Sequence, residues 1–196
     1  MRPIVAFQGE SGAFSEKAVE HLVPAPFTLL PCSTFDETAG AVVEGMADLA
    51  VIPVENLIAG PLHAALDALA AAPELEQIGE HQLPVRHALL GLPGASVDQI
   101  REALSHQMAL KQCTRFFAEH PRIRAVEAHD TAGAARLVGI RRDPSVAAIA
   151  GAWAAERYGL VVIVDGLQDH AENFTRFVLV KRKPMSGRLD RNAVRA

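Results

Sequence analysis

Strand-length apolar runs alternate along this chain with longer segments whose apolar residues recur at helical spacing, and that alternation limits the folds open to it. Ile4-Val5-Ala6-Phe7 and Val146-Ala147-Ala148-Ile149 are runs of the first kind; residues 15–22 and 130–140 are segments of the second. Such a pattern builds βα units on a largely parallel sheet, so the predicted fold class is α/β. Strands are expected at residues 4–7, 27–31, 49–53, 86–91, 103–105, 123–128, 146–149, 161–164 and 175–181. Helices are expected over 15–22, 34–44, 61–71, 108–118, 130–140 and 151–158. Thr34-Phe35-Asp36-Glu37 is a capping-box pattern, and Pro61 suits a first helical turn, where its missing N–H costs nothing. Leu83-Pro84 and residues 159–166 are the expected crossings between lobes.

Composition excludes several classes. A hydrophobic content of 49% with 21% charged residues fits a compact globular chain, long enough for one domain or two small lobes. No apolar stretch approaches the roughly 20 residues that span a bilayer. A net charge of −4 argues against nonspecific nucleic-acid binding. Cys32 and Cys113 lie far apart without metal-ligand spacing and read as buried free thiols, so no metal is expected. With no secretion signal at Met1-Arg2-Pro3, the expected compartment is the cytoplasm. The basic stretch 184–196 is expected to be a solvated, flexible tail.

Four segments carry polar groups suited to chemistry. Gly9-Glu10-Ser11-Gly12-Ala13-Phe14-Ser15 links the first strand to a helix, where free N–H groups and the helix dipole favour an anion; a plain turn and helix cap is the competing reading. Glu55-Asn56 ends a strand, where open α/β sheets expose ligand crevices; an Asx turn explains it as well. Ser105-His106 precedes a helix and either binds a second anionic group or caps that helix. In Asn173-Phe174-Thr175-Arg176-Phe177, Thr175 and Phe177 share one face of a strand and Arg176 faces the other way.

In this order and spacing these segments resemble the catalytic domain of prephenate dehydratases, over about residues 4 to 183. Asn173-Phe174-Thr175-Arg176-Phe177 matches that family's Asn-x-Thr-Arg-Phe motif. Gly9-x-x-Gly12-Ala13-Phe14-Ser15, Pro53-Val54-Glu55-Asn56, Ser105-His106, Gln112-Cys113, Asp130-Thr131-Ala132 and Ala154-Ala155-x-x-Tyr158-Gly159-Leu160 accompany it. The resemblance implies two lobes similar to type II periplasmic binding proteins, with the active site in the cleft between them. One lobe would hold residues 1–80 and 163–183, the other 84–162. It also implies a homodimer, no cofactor, and prephenate as the small-molecule substrate.

By the same resemblance Thr175 is the catalytic donor. Gly12, Ala13, Phe14, Ser15, Glu55, Asn56, Ser105, His106, Thr131, Asn173, Arg176 and Phe177 are the substrate-binding residues. Asn56 is expected to hold a substrate carboxylate or hydroxyl with Glu55 orienting it, and Arg176 either anchors a carboxylate or braces the loop through Glu172 or Asp169. The chain departs from the family at Gln107-Met108, at Leu57 and at Ala13, the last shared with arogenate-using relatives. No phenylalanine-binding ACT domain is expected. The rival readings are an arogenate or cyclohexadienyl dehydratase, a non-aromatising prephenate decarboxylase, disfavoured by the intact Thr175-Arg176-Phe177, and a non-catalytic module that captures an organic acid.

Overall fold

The structure, a computed structural model, describes residues 2–184; the tail expected from 184 lies, past that residue, outside them. The chain lays down β1 (Ile4–Gln8), α1 (Phe14–Leu22), β2 (Thr28–Cys32), α2 (Phe35–Val43), β3 (Leu49–Asn56), β4 (Gly60–Pro61), α3 (His63–Ala70) and β5 (Leu75–Pro84). There follow β6 (Ala88–Gly91), β7 (Glu102–Ser105), α4 (Gln107–Lys111), α5 (Thr114–Glu119), β8 (Arg124–Glu127), α6 (Thr131–Arg141), β9 (Val146–Ala150), α7 (Ala154–Tyr158), β10 (Val161–Asp165) and β11 (Phe174–Arg182).

Two sheets result, ordered β2-β1-β3-β11-β5 and β10-β6-β9-β7-β8, with the short β4 pairing on β3. In the first, β2, β1 and β3 are parallel, while β11 runs antiparallel to both β3 and β5. In the second, β8, β7 and β9 are parallel, and β6 and β10 close the sheet antiparallel. The expected largely parallel sheet is therefore a mixed pair, each with a parallel trio extended by antiparallel strands. Because β10 pairs with β6 through Asp165, the chain stays in the second sheet past residue 162 and returns to the first with β11.

Both sheets are covered on two faces, which accounts for their continuous apolar strands. Ile52, Val54, Val178 and Val180 pack against Ala39, Val42 and Ala65 of α2 and α3, while Phe7, Val51 and Phe177 pack against Ala18 and Val19 of α1. In the second sheet Leu104 and Ala148 meet Ala134, Val138 and Ala154 of α6 and α7; Leu89 and Ile149 meet Phe116 of α5. Each such large side chain withdrawn from water contributes about 1.5–3 kcal/mol. Cys113 lies in this last cluster as a free thiol, and burial pushes it up to about 12, which leaves it protonated and inert.

Three local differences from the sequence expectation have physical causes. The ten-residue β5 was not expected, because Glu76, Gln77, Gly79, Glu80, His81 and Gln82 give it no apolar run. It forms as an edge strand on β11, through backbone hydrogen bonds that ask little of side chains. Pro61 does not open a helix: Gly60 and Pro61 pair with Asn56 and Glu55, and the helix begins at His63. An edge position suits a residue without an N–H.

The single helix expected over 108–118 is two, broken at Gln112-Cys113. Asp169, from the segment that returns to the first sheet, accepts from the Thr114 N–H at 2.8 Å, the Thr114 hydroxyl at 2.6 Å and the Arg115 N–H at 2.9 Å, and so starts α5 anew. Burial alone would raise the Asp169 carboxyl; these hydrogen bonds outweigh it and hold the group below the usual carboxylate range. Asp169→Ala is expected to cost about 1 kcal/mol, the usual worth of a helix cap, read as a shift in the urea midpoint. A carboxyl depressed in the folded state stabilises above its ordinary pKa and loses that contribution as pH falls through the lowered value, so the deficit of the variant should shrink in acid.

Candidate active site

A cleft of about 960 Å³ opens between the two sheets. Asn56 at the end of β3, with Thr175 and Phe177 on β11, line it from the first lobe. His106, Gln112 and Thr131 line it from the second, and Val85 and His87 from the first crossing segment. The two crossings are tied together: the Val85 N–H donates to the Asn173 carbonyl at 2.7 Å, the Leu167 N–H to the His87 carbonyl at 2.9 Å and the His87 N–H to Gln168 Oε1 at 3.0 Å.

A chain of buried side chains runs through this junction, and its polarity is fixed from one end. The Ile58 and Ala59 N–H groups both donate to Asn56 Oδ1, at 3.1 and 2.9 Å, closing an Asx turn. The Asn56 amide nitrogen must then be the donor, to Asn173 Oδ1 at 2.8 Å and Thr175 Oγ1 at 2.9 Å. Asn173 Nδ2 in turn donates to Gln112 Oε1 at 3.0 Å, so the His87 Nε2 lying 3.1 Å from the same oxygen carries the proton. Burial lowers the His87 pKa, more than the Gln112 hydrogen bond raises it, and the ring is neutral. At the other end Thr175 Oγ1 accepts from Asn56, which leaves its own proton for a group in the cleft.

Of the residues expected to bind substrate, Phe14, Ser15, Asn56, His106, Thr131 and Phe177 line the cleft together with Thr175. The others are engaged elsewhere. The Gly12 N–H donates to Glu16 Oε2 at 2.7 Å and the Ala13 N–H to the Glu10 carbonyl at 3.0 Å, so these two donors are taken up within the turn. The Gly12 carbonyl accepts from Trp153 Nε1 at 2.9 Å, the Ser11 carbonyl from the Tyr158 hydroxyl, and Glu10 and Glu16 pair with Arg136 and Arg157. The turn is a clamp between lobes. Gly12 has φ +91°, and a Cβ there would sit 3.2 Å from that of Ala154, so both conformation and close approach demand glycine.

Glu55 does not orient Asn56. It reaches Arg176 on the neighbouring strand at 3.2 Å, and Arg176 also lies 3.6 Å from Glu80. Arg176 is thus held against Glu55 and Glu80 and does not line the cleft; the bracing expected through Glu172 or Asp169 goes instead through Glu55 and Glu80. Ser105 is fully buried and donates to the Ile149 carbonyl at 2.6 Å, so its hydroxyl is structural, and the cap of α4 is His106, whose Nδ1 accepts from the Met108 N–H at 3.2 Å. Asn173 is 1% exposed and acts within the relay. Asn56, with both amide atoms occupied, orients Thr175 rather than holding a substrate carboxylate.

His87 was missed as a site residue and Gln112 appeared only within a motif. A lone histidine ahead of a strand carries no sequence signal, since its partner lies 25 residues away. Among the described residues no lysine or arginine lines the cleft, whereas Glu127, Asp130 and four histidines do. The first turns of α1 and α6, the positive ends of helix dipoles, face the cleft.

A family model described as prephenate dehydratase matches residues 5–185. Arogenate dehydratase 5, chloroplastic, of Arabidopsis thaliana is 43% identical over 188 residues, 95% of this chain and 44% of that protein. The chain thus spans about half the length of the curated relatives it matches. A prephenate dehydratase from Arthrobacter aurescens, solved in complex with L-Phe, is 33% identical with a TM-score of 0.82, over 92% of this chain and 61% of that one. GqqA, a quorum quenching acylase, is 38% identical with a TM-score of 0.80, over 92% and 64%. A putative methionine-binding lipoprotein of Bacillus subtilis, at 10% identity and TM-score 0.50 over 93% and 83%, shares the fold alone, which is that of two-lobed periplasmic-type binding proteins.

Asn173→Ala strands polar atoms of Asn56 and Gln112 and is expected to cost about 1–3 kcal/mol in urea unfolding. Combined with Gln112→Ala the losses should fall short of additivity by at least about 0.5 kcal/mol, because both variants break the same link. Additive losses would show that the relay is not one unit.

Proposed function

Because the chain belongs to the prephenate dehydratase family, a family of lyases, we propose that it catalyses decarboxylative dehydration of prephenate to phenylpyruvate, carbon dioxide and water, within phenylalanine biosynthesis. One observation carries this reading: the Thr175 hydroxyl accepts from an amide whose own polarity is fixed by backbone N–H groups, so its proton is directed into the cleft.

Prephenate holds a carboxylate and a hydroxyl on one non-aromatic ring. The C–C bond to the carboxylate breaks and releases carbon dioxide, its electron pair moves into the ring, and the C–O bond opposite breaks; the departing hydroxide takes a proton from its hydrogen-bond donor to become water, and solvent restores that proton. Aromatisation drives the step, so a cofactor has nothing to contribute. Hydroxide is a poor leaving group, and the protein's task is to place a donor on it as the C–O bond lengthens. Thr175 is that donor, and the Asn56 amide, by donating to Oγ1, holds the oxygen in place and leaves its proton for the leaving group. Val85 and Phe177 give the ring apolar walls.

The same atoms are lost from arogenate, whose side chain carries an amine where prephenate has a ketone, to give phenylalanine. The Arabidopsis relative is an arogenate dehydratase. Acyl transfer, the chemistry of the acylase neighbour, asks for a base beside the hydroxyl; here the partner is the Asn56 amide, which takes no proton. A homodimer belongs to this reading on the family resemblance alone, and a reducing, cytoplasmic setting on the free thiols of Cys32 and Cys113.

Mixing the protein with prephenate and following the phenylpyruvate enolate absorbance in base tests the reading, which fails if no product forms. Thr175→Ala is expected to lower kcat by about 10²- to 10⁴-fold, the usual worth of a positioned acid, with prephenate binding by calorimetry largely kept; Thr175→Ser should recover part of the rate. Near wild-type kcat in Thr175→Ala would remove the hydroxyl from the chemistry.

A further inference from the structure

At its far end the relay leaves an unused lone pair. His87 Nε2 carries the proton, so Nδ1 is an acceptor, and it is the one buried side-chain nitrogen or oxygen among the described residues without a partner. His87 is 2% exposed and forms part of the cleft wall. Leaving such an acceptor unpaired is costly, and native proteins rarely do so without a reason. Phe14, half-buried at the cleft surface, meets the His87 ring edge-on at 5.6 Å and the Trp153 ring at 4.9 Å, and in this conformation the nitrogen is sealed from solvent.

We propose that His87 is a specificity-determining residue, whose Nδ1 accepts a hydrogen bond from a ligand N–H once Phe14 turns aside, so that the cleft favours a substrate with an ammonium on its side chain over the keto acid. This rests on the dehydratase reading, which assigns the ring hydroxyl to Thr175 and leaves the side chain for the other polar end of the cleft. Prephenate's side chain, a ketone and an ionised carboxylate, has no donor to offer; arogenate's has three N–H bonds. The charge of the cleft points the same way. With Glu127 and Asp130 lining it and no lysine or arginine doing so among the described residues, a dianion is repelled more than a zwitterion with one negative charge less. The tautomer that creates the acceptor is set by the Ile58 and Ala59 N–H groups at the other end of the relay.

His87→Gln tests this, because a glutamine amide can replace the Nε2–H bond to Gln112 but supplies nothing at Nδ1. Wild type should show higher kcat/KM for arogenate than for prephenate, and His87→Gln should lose at least about 10-fold more on arogenate, the worth of one charge-assisted hydrogen bond. Equal losses on both substrates would make His87 merely structural, and a wild-type preference for prephenate would overturn the proposal. In ¹⁵N NMR, His87 Nδ1 should start as an unprotonated ring nitrogen and shift toward the protonated range as arogenate is titrated in, but not with prephenate. A protonated Nδ1 in the free protein, or no shift with arogenate, would also overturn it. If wild type turns over neither compound, the dehydratase reading fails, and the NMR titration still decides whether Nδ1 accepts from an amine.

Discussion

Two backbone N–H groups, those of Ile58 and Ala59, govern more of this molecule than their place in an exposed turn suggests. By occupying Asn56 Oδ1 they force the Asn56 amide nitrogen to donate, and every later choice follows: Asn173 Oδ1 accepts, Asn173 Nδ2 donates, Gln112 accepts, His87 carries its proton on Nε2. Buried amides are symmetric enough to be placed either way round, and a flipped one would set acceptor against acceptor along the chain. One local turn thereby decides that a threonine hydroxyl in the first lobe accepts from its amide neighbour and which nitrogen of a histidine is bare at the lobe junction.

The relay also explains why the junction can be narrow without being loose. The lobes are joined by two crossing segments bonded to each other, and Asn173 and His87, from one segment each, are the side chains that carry the relay across. A second tie lies beyond α1, where the 9–12 turn gives its carbonyls to Trp153 and Tyr158 and its neighbouring carboxylates to Arg136 and Arg157. The exposed Glu10–Arg136 pair is weak on its own; the two carbonyl bonds and the contact of Gly12 with Ala154 give the tie its geometry. A segment with the look of an anion cradle is therefore spent on holding the lobes together.

Polar groups at the cleft follow a division by strand face. Thr175 and Phe177 face inward on β11, and Arg176 between them is turned out to Glu55 and Glu80, so the motif's one permanent charge serves the sheet. Around the relay the cleft presents neutral donors and acceptors of fixed direction, beside the carboxylates of Glu127 and Asp130. In a low-dielectric pocket such groups discriminate by hydrogen-bond complementarity in addition to net charge, because an unmatched donor or acceptor there goes unsolvated.

The chain by itself determined the α/β class, the positions of most strands and helices, and the segments that meet at the cleft, because periodicity and helix caps act over a few residues. The alternation along 173–177 was enough to put Thr175 and Phe177 on one face and Arg176 on the other. Tertiary structure alone decided the antiparallel extensions of both sheets, the polar strand 75–84, and the break at Gln112-Cys113 made by Asp169 from more than 50 residues away. It decided too that Asn56 meets the Thr175 hydroxyl, that Gly12 and Ser105 bond within the protein, and that His87 lines the cleft. Each of these depends on the partner of a donor or acceptor, and Asn56 finds its partners 117 to 119 residues away. Local spacing records which groups a residue carries; folding alone determines which partner occupies each of them.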